Sequence, residues 1–203
     1  EQLEGNWLLV SFAERGEIRM LTDGATQAKG WMVDSGAFSV WRRGVKADLD
    51  GNIRFLQAHH EALDAYVTLD VIPGSPGRLP TQDEAKRATD ESLLHLGRML
   101  AEGLAPMPVY HEGEPSWVLD HLVQQGHDLI GLGATFSRGK PVILDWLLPI
   151  FQNYPSQKFH GLAMTQRRIV EHLPFFSVDS TTWLNFNKYG LDDLSIEPLF
   201  GSQ

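Results

Sequence analysis

The chain has 203 residues, 42% of them hydrophobic, with six tryptophans and no cysteine. That is enough for one domain with a large core and slightly short for two, and it excludes disulfides, thiolate nucleophiles and Cys-ligated zinc. The net charge of −9, from 17 basic and 26 acidic residues, argues against a wide sequence-independent grip on nucleic acid but leaves room for a local basic rim. No apolar run approaches the roughly 20 residues that span a bilayer, and no basic, apolar leader opens the chain. The expectation is a cytoplasmic protein with no membrane partner. The sequence opens on Glu1 rather than Met, which leaves room for a preceding segment.

In chain order, the strand candidates are "WLLVSF" (7–12), "GWMVDS" (30–35), "YVTLD" (66–70), "PMPVYH" (106–111), "LIGLG" (129–133), "FHGLA" (159–163), "FFSVDS" (175–180) and "SIEPLF" (195–200). Helical periodicity fills the gaps between them: 52–63, 81–103, 114–126, 141–154 and 165–173. The 81–103 stretch opens on a Thr-x-x-Glu capping box and closes on Gly103, while Thr165 is placed to cap the last helix. The Pro/Gly-rich "VIPGSPGRLP" (71–80) follows a strand and reads as a βα loop. Strands alternating with helices imply a parallel sheet covered by helices. Seven or eight such units predict an α/β fold, a compact (β/α)8 TIM-type barrel with parallel strands and outer helices, as one catalytic domain over residues 1–203. A doubly wound open sheet is the alternative.

Polar residues gather at the predicted strand ends: Asp34, Asp70, His111 with Glu112, Gly131 with Gly133, Gly161 with Thr165, and Asp179. In a parallel barrel those ends share one face, the face on which such enzymes build active sites. Each acid alone could be a turn or capping residue; three Asp and a His at separate termini favour one pocket. "HEGE" (111–114) lacks the second His of a zinc-protease helix, and the His59–His60 and His121/His127 pairs lack metal-site company. No metal and no cofactor are expected. "GLGATFSRGKP" (131–141) lacks the Lys-Ser/Thr of a phosphate loop, so its glycines read as places where a flat ligand approaches the backbone. Ser35 lacks the glycine that precedes a nucleophile-elbow serine by two positions.

"VDSGAFSVWRRG" (33–44) resembles the Asp-Ser-Gly-Gly-aromatic-Gln segment of the tRNA-guanine transglycosylase superfamily, and "KFHGLAMTQRRIVEHLPFFSVDSTTWL" (158–184) resembles that family's late segment. "YVTLDVIPG", "PVYHEG" and "LIGLG" fall between them in the matching order. The family is a (β/α)8 barrel that exchanges guanine for a 7-deazaguanine. The resemblance implies Asp179 as covalent nucleophile, Asp34 as acid/base partner, Phe38 as the ring stacking on the base and Asp70 as reader of the guanine edge. His111 stands where the family usually has Gln, and Gly133 where a backbone amide meets the base. Gly131 and Ser35 complete the implied base site. Ser39 replaces the motif's Gln, Ala37 its second Gly, and the family's Cys/His zinc site has no counterpart. The chain also stops soon after Asp179, without the family's tRNA-engaging extension. The closer likeness is to the zinc-free phage and mobile-element relatives that insert a 7-deazaguanine, such as preQ0, into DNA.

The residues suit that chemistry. A carboxylate facing the anomeric carbon stabilises and can bond to the cation that forms there. A second carboxyl, its pKa raised by desolvation beside Trp31, Phe38 and Trp41, can protonate the departing base and deprotonate the incoming one. The small residues 35–37 are expected to leave a slot for a planar base beside Asp34. Arg42, Arg43, Lys46, Arg138, Lys140, Arg167 and Arg168 follow strand ends and would form a phosphate rim, Arg167 and Arg168 in a helix's first turn. The partner expected is nucleic acid, DNA before tRNA, with accessory DNA-binding proteins and the oligomeric state left open. A hydrolytic N-glycosidase using the same two Asp, or a non-catalytic base-binding module, are the competing readings.

Overall fold

A computed structural model describes residues 6–14, 18, 19, 21, 28–76, 78–134, 141–164 and 166–179. The expected strand at 195–200, together with Arg138, Lys140 and Thr165, lies outside them.

Within the described residues the fold is α/β. The strands are β1 (Trp7–Ser11), β2 (Gly30–Asp34), β3 (Ala65–Tyr66), β4 (Val109–His111), β5 (Leu129–Gly133), β6 (Lys158–Leu162) and β7 (Ser177–Val178). The helices are α1 (Ala37–Arg43), α2 (Leu49–His59), α3 (Gln82–Ala101), α4 (Ser116–Gln124), α5 (Ile143–Asn153) and α6 (Arg167–Val170), with a 3-10 turn at His60–Ala62. β1-β2-β3 form one parallel sheet and β4-β5-β6-β7 another, both in sequence order. A parallel bridge between Val67 and Met107 links them. Every neighbour pair is therefore parallel, as expected where helical crossovers connect the strands.

Alternation sets the two faces. From β4 to β6, Tyr110, Ile130, Leu132 and Phe159 turn outward into one buried cluster with Leu96 of α3, Val118, Leu119 and Leu122 of α4, and Ile143, Leu147, Ile150 and Phe151 of α5. The other face carries a second cluster, Val67, Met107 and Val109, against which Met32, Leu129 and Leu162 pack. Met32 belongs to β2 and Leu162 to β6, so the sheet curves until side chains from distant strands share one apolar layer.

Local chemistry explains most element ends. Thr81 Oγ1 accepts from the Glu84 amide at 3.3 Å and Glu84 Oε2 accepts from the Thr81 amide at 2.8 Å, the expected capping box. Gly103 closes the connection after α3 with φ +80°. Several expectations change, among them the strand expected at 175–180, of which only Ser177–Val178 is strand among the described residues. The strand expected at 66–70 is only Ala65–Tyr66; sheet-type bonds run on from the Val67 and Thr68 amides to the Val33 and Met107 carbonyls, and the Asp70 amide then turns back onto the Thr68 carbonyl at 2.8 Å. The strand expected at 106–111 shortens to three residues, since Pro106 and Pro108 have no amide to donate. The helix expected at 165–173 is only the four residues of α6. A further helix, α1, occupies "AFSVWRR", bracketed by Gly36 and Gly44, both left-handed.

Candidate active site at the strand ends

Asp34 ends β2. Its Oδ2 accepts from the Gly36 amide at 3.0 Å, and the Ser11 hydroxyl on the neighbouring strand pulls its pKa down. Although partly exposed, its carboxyl is pushed up from the usual 3.8 to about 6. Burial is the largest cause, followed by the negative charge of Asp70; Asp179 adds to it, against the lowering pull of the hydrogen bonds. Asp70 and Asp179, from separate strand units, therefore both act on Asp34.

Gly36 adopts φ +80°, and a Cβ there would stand 2.5 Å from the Ala13 Cβ. The smallness of residue 36 is thus used by the chain itself, against the turn after β1, and not by a base. Ser35 is buried, accepts from the Ala37 amide at 3.3 Å and approaches Asp70 Oδ1 at 3.5 Å. Phe38, in the first turn of α1, is 42% exposed, with its ring 5.7 Å from that of Trp41. Trp41 is anchored by its indole N–H on the Gly74 carbonyl at 2.9 Å. Phe38 thus leaves an exposed ring on the surface two residues beyond Gly36.

Asp70 lies on the irregular segment after β3, and its oxygens already have protein partners. Oδ2 meets His111 Nε2 at 2.5 Å and Oδ1 faces Ser35. Both Asp70 and His111 are buried. Burial alone would push the His111 imidazole down. The hydrogen bond and charge of Asp70 outweigh it, with help from Glu114 and the Gly133 carbonyl, and the net direction is up. Asp70 thus favours the protonated form of the imidazole it holds. Its backbone amide donates to Glu114 Oε2 at 2.7 Å, and Thr89 of α3 donates to Glu114 Oε1 at 2.9 Å. Burial also pushes the Glu114 carboxyl up.

Gly133 and Gly131 take on a different meaning from the expected one. A Cβ at Gly133 would stand 2.4 Å from His111 Nδ1, so the missing side chain makes room for the imidazole. At Gly131 a Cβ would press on Val109 and Met107 at 3.2 and 3.3 Å. These glycines seat protein side chains on the inner face.

Asp179 follows β7, and its Oδ1 accepts from the Ala163 amide at 2.8 Å and lies 3.2 Å from His160 Nε2. His160, buried in the middle of β6, contacts Ser177 Oγ through Nδ1 at 2.8 Å. Ala163 has φ +54°, an unusual conformation for a residue with a side chain, and it aims its amide at Asp179. Sequence reading missed His160, Glu114 and Thr89. The only available signal was a histidine inside a largely apolar strand, directly before Gly161.

The expected phosphate rim is partly engaged elsewhere. Arg43 pairs with Glu14 at 2.7 Å and Arg167 with Glu171 at 2.6 Å, both exposed at the surface. Arg42 and Arg168 are exposed. The four-residue α6 is too short to offer Arg167 and Arg168 the expected helix-terminus phosphate site. Beneath Asp70 and Glu114 lies a void of about 10 Å³, room for one water at most. A shallow cleft of about 590 Å³ opens between the start of α3 and the 113–117 loop, with Trp117 in its wall. Neither space has Asp34 or Asp179 in its wall. Among the described residues no group of three or more His, Asp or Glu side chains is placed to hold a metal ion, and no helix there is long and apolar enough to cross a membrane.

Comparison with known proteins gives no match: no family model, no curated protein and no solved structure aligns with this chain.

Proposed function

We propose that the chain is a base-exchanging glycosyltransferase of the guanine transglycosylase type, built on a (β/α)8 barrel, with Asp179 as nucleophile and Asp34 as acid/base. The observation that carries this reading is the pairing of Asp34, raised to about 6 by burial and by its acidic neighbours, with Asp179 close enough to contribute to that rise. Two carboxyl groups with unlike tasks are what displacement at an anomeric carbon requires.

In the first half-reaction an Asp179 oxygen bonds to C1′ as the C1′–N bond breaks. The electron pair leaves with guanine, which takes a proton from Asp34. In the second, Asp34 removes a proton from the incoming 7-deazaguanine, whose nitrogen bonds to C1′ as the ester to Asp179 breaks. No water is consumed, and the proton count returns to its start. Phe38 would stack on the base. Asp70, oriented by His111 and Ser35, would accept from the guanine edge with whatever lone pairs those two leave. The polymer is proposed as DNA, with tRNA second, and the incoming base as one of the preQ0 kind; both rest on the sequence resemblance.

The test supplies DNA and tRNA separately with labelled guanine and a labelled 7-deazaguanine. Incorporation into DNA that vanishes in Asp179→Asn supports the reading. Release of guanine leaving a free sugar end assigns hydrolysis in its place. Binding of the base with no turnover in either protein reduces the chain to a binding module.

A further inference from the structure

His160 stands between two groups of β7, and the chemistry of those groups fixes its own. Ser177 Oγ lies 2.8 Å from Nδ1 and Asp179 Oδ1 lies 3.2 Å from Nε2. The register of the ladder makes the arrangement unavoidable: His160 pairs with Ser177, and the alternation of side chains turns Ser177 and Asp179 toward the same face. A carboxylate can only accept, so Nε2 must carry the hydrogen. A neutral imidazole then offers Nδ1 as an acceptor, which the Ser177 hydroxyl fills by donating. The ring is buried, so water does not compete for either nitrogen.

We infer that His160 is a positioning residue for Asp179: with the Ala163 amide it pins Oδ1 and leaves Oδ2 as the oxygen that attacks the sugar. Two donors, the amide at 2.8 Å and the imidazole at 3.2 Å, converge on Oδ1, while among the described residues no donor reaches Oδ2. The backbone at Ala163 accepts a left-handed φ of +54° in delivering that amide. The hold has a chemical result as well as a geometric one. In the ester, Oδ2 carries the sugar and Oδ1 becomes the carbonyl oxygen, so the same two donors draw electron density from the ester and make Asp179 a better leaving group in the second half-reaction. The inference rests on the proposed transglycosylase reading for its kinetic consequence, but not for its structural one.

The test uses the full chain with His160→Gln, His160→Leu and Ser177→Ala, each followed by base exchange and by imidazole ¹⁵N NMR where the ring remains. His160→Leu is expected to lower kcat for exchange about 100-fold with KM for the base changed less than about threefold, the signature of a lost pre-organised donor. His160→Gln, whose amide can still donate toward Oδ1, is expected to recover most of that loss. The NMR spectrum of the unaltered chain should show an Nε2–H tautomer whose shifts move in Asp179→Asn. Equal activity in the Gln and Leu variants, or an Nδ1–H tautomer, overturns the inference. The spectroscopic result is independent of activity: an Nε2–H ring with no base exchange would keep the hold on Asp179 and sink the proposed reaction.

Discussion

Asp179 contributes to the raised pKa of Asp34 although β2 and β7 are separated by five strand intervals along the sheet order. In a flat sheet that separation is about 24 Å, well beyond the roughly 8–10 Å over which exposed charges interact at physiological salt. The influence survives because the sheet curves, as the apolar layer joining Met32, Val67 and Leu162 also requires.

The first expectation concerns Asp34 and stability. An acid raised from 3.8 to about 6 by folding is a group the folded state prefers protonated. Between those values the unfolded chain has already released its proton, so stability falls as pH rises, and above pH 6 the full penalty is present. Asp34→Asn removes it while keeping an acceptor for Gly36. Denaturant unfolding should find the variant more stable at pH 7.5 by at most about 3 kcal/mol, with no difference at pH 3.5.

The same carboxyl sets the expected rate profile. Formation of the glycosyl-enzyme needs Asp34 protonated, so single-turnover trapping should decline as pH rises above about 6. In Asp34→Asn the rate should be low and flat across that range. A decline that persists in the variant would assign the titration to another group.

His111 acts on stability through the opposite charge type. Its folded pKa lies above the ordinary 6.5, so its ion pair with Asp70 contributes fully below that value and is lost as pH rises through the folded pKa. His111→Gln should be less stable than the parent at pH 6. The gap should narrow at alkaline pH, which melting curves across pH 6–9 would reveal.

Gly133 offers a packing test. Gly133→Ala places a methyl carbon where His111 Nδ1 now stands, 2.4 Å away, and overpacking of this kind costs about 1–3 kcal/mol. In a His111→Ala background the cost should largely vanish, so a double-mutant cycle should return a coupling comparable to the single cost. An unchanged cost in both backgrounds would show that something other than the imidazole occupies the space.

How legible this was varied with the physics of each segment. β5 begins and ends where "LIGLG" predicts, because its residues are apolar or small throughout and both faces are covered. Helix α3 announced itself through Thr81 and Glu84. By contrast, α1 was hidden, since seven residues give little periodicity and the left-handed φ of Gly36 and Gly44 cannot be read from composition. That Asp70 and Asp179 bear on Asp34 follows from their expected places at or beyond strand ends, although Asp70 sits four residues past its strand. His160 was not legible, because its partners are set by the β6–β7 register, a non-local fact. The glycines of β5 were seen, but what fills the space beside them depends on which way the neighbouring strand points His111.

Asp70 differs from its two companions in what carries it. β2 carries Asp34, and the Asp179 amide still donates to the Gly161 carbonyl at 3.2 Å. Asp70 follows the one-residue bridge at Val67, and its flanks are tied to α3: His95 Nδ1 on the Leu69 carbonyl at 2.6 Å and Ser92 Oγ under the Val71 amide at 2.8 Å. The backbone beneath it is consequently set by a helix that touches neither of the other acids through these bonds, while Ser35 and His111 hold its oxygens. Substitutions along that helix could swing one carboxylate while its two companions stay put, a route to new substrates that spares the scaffold.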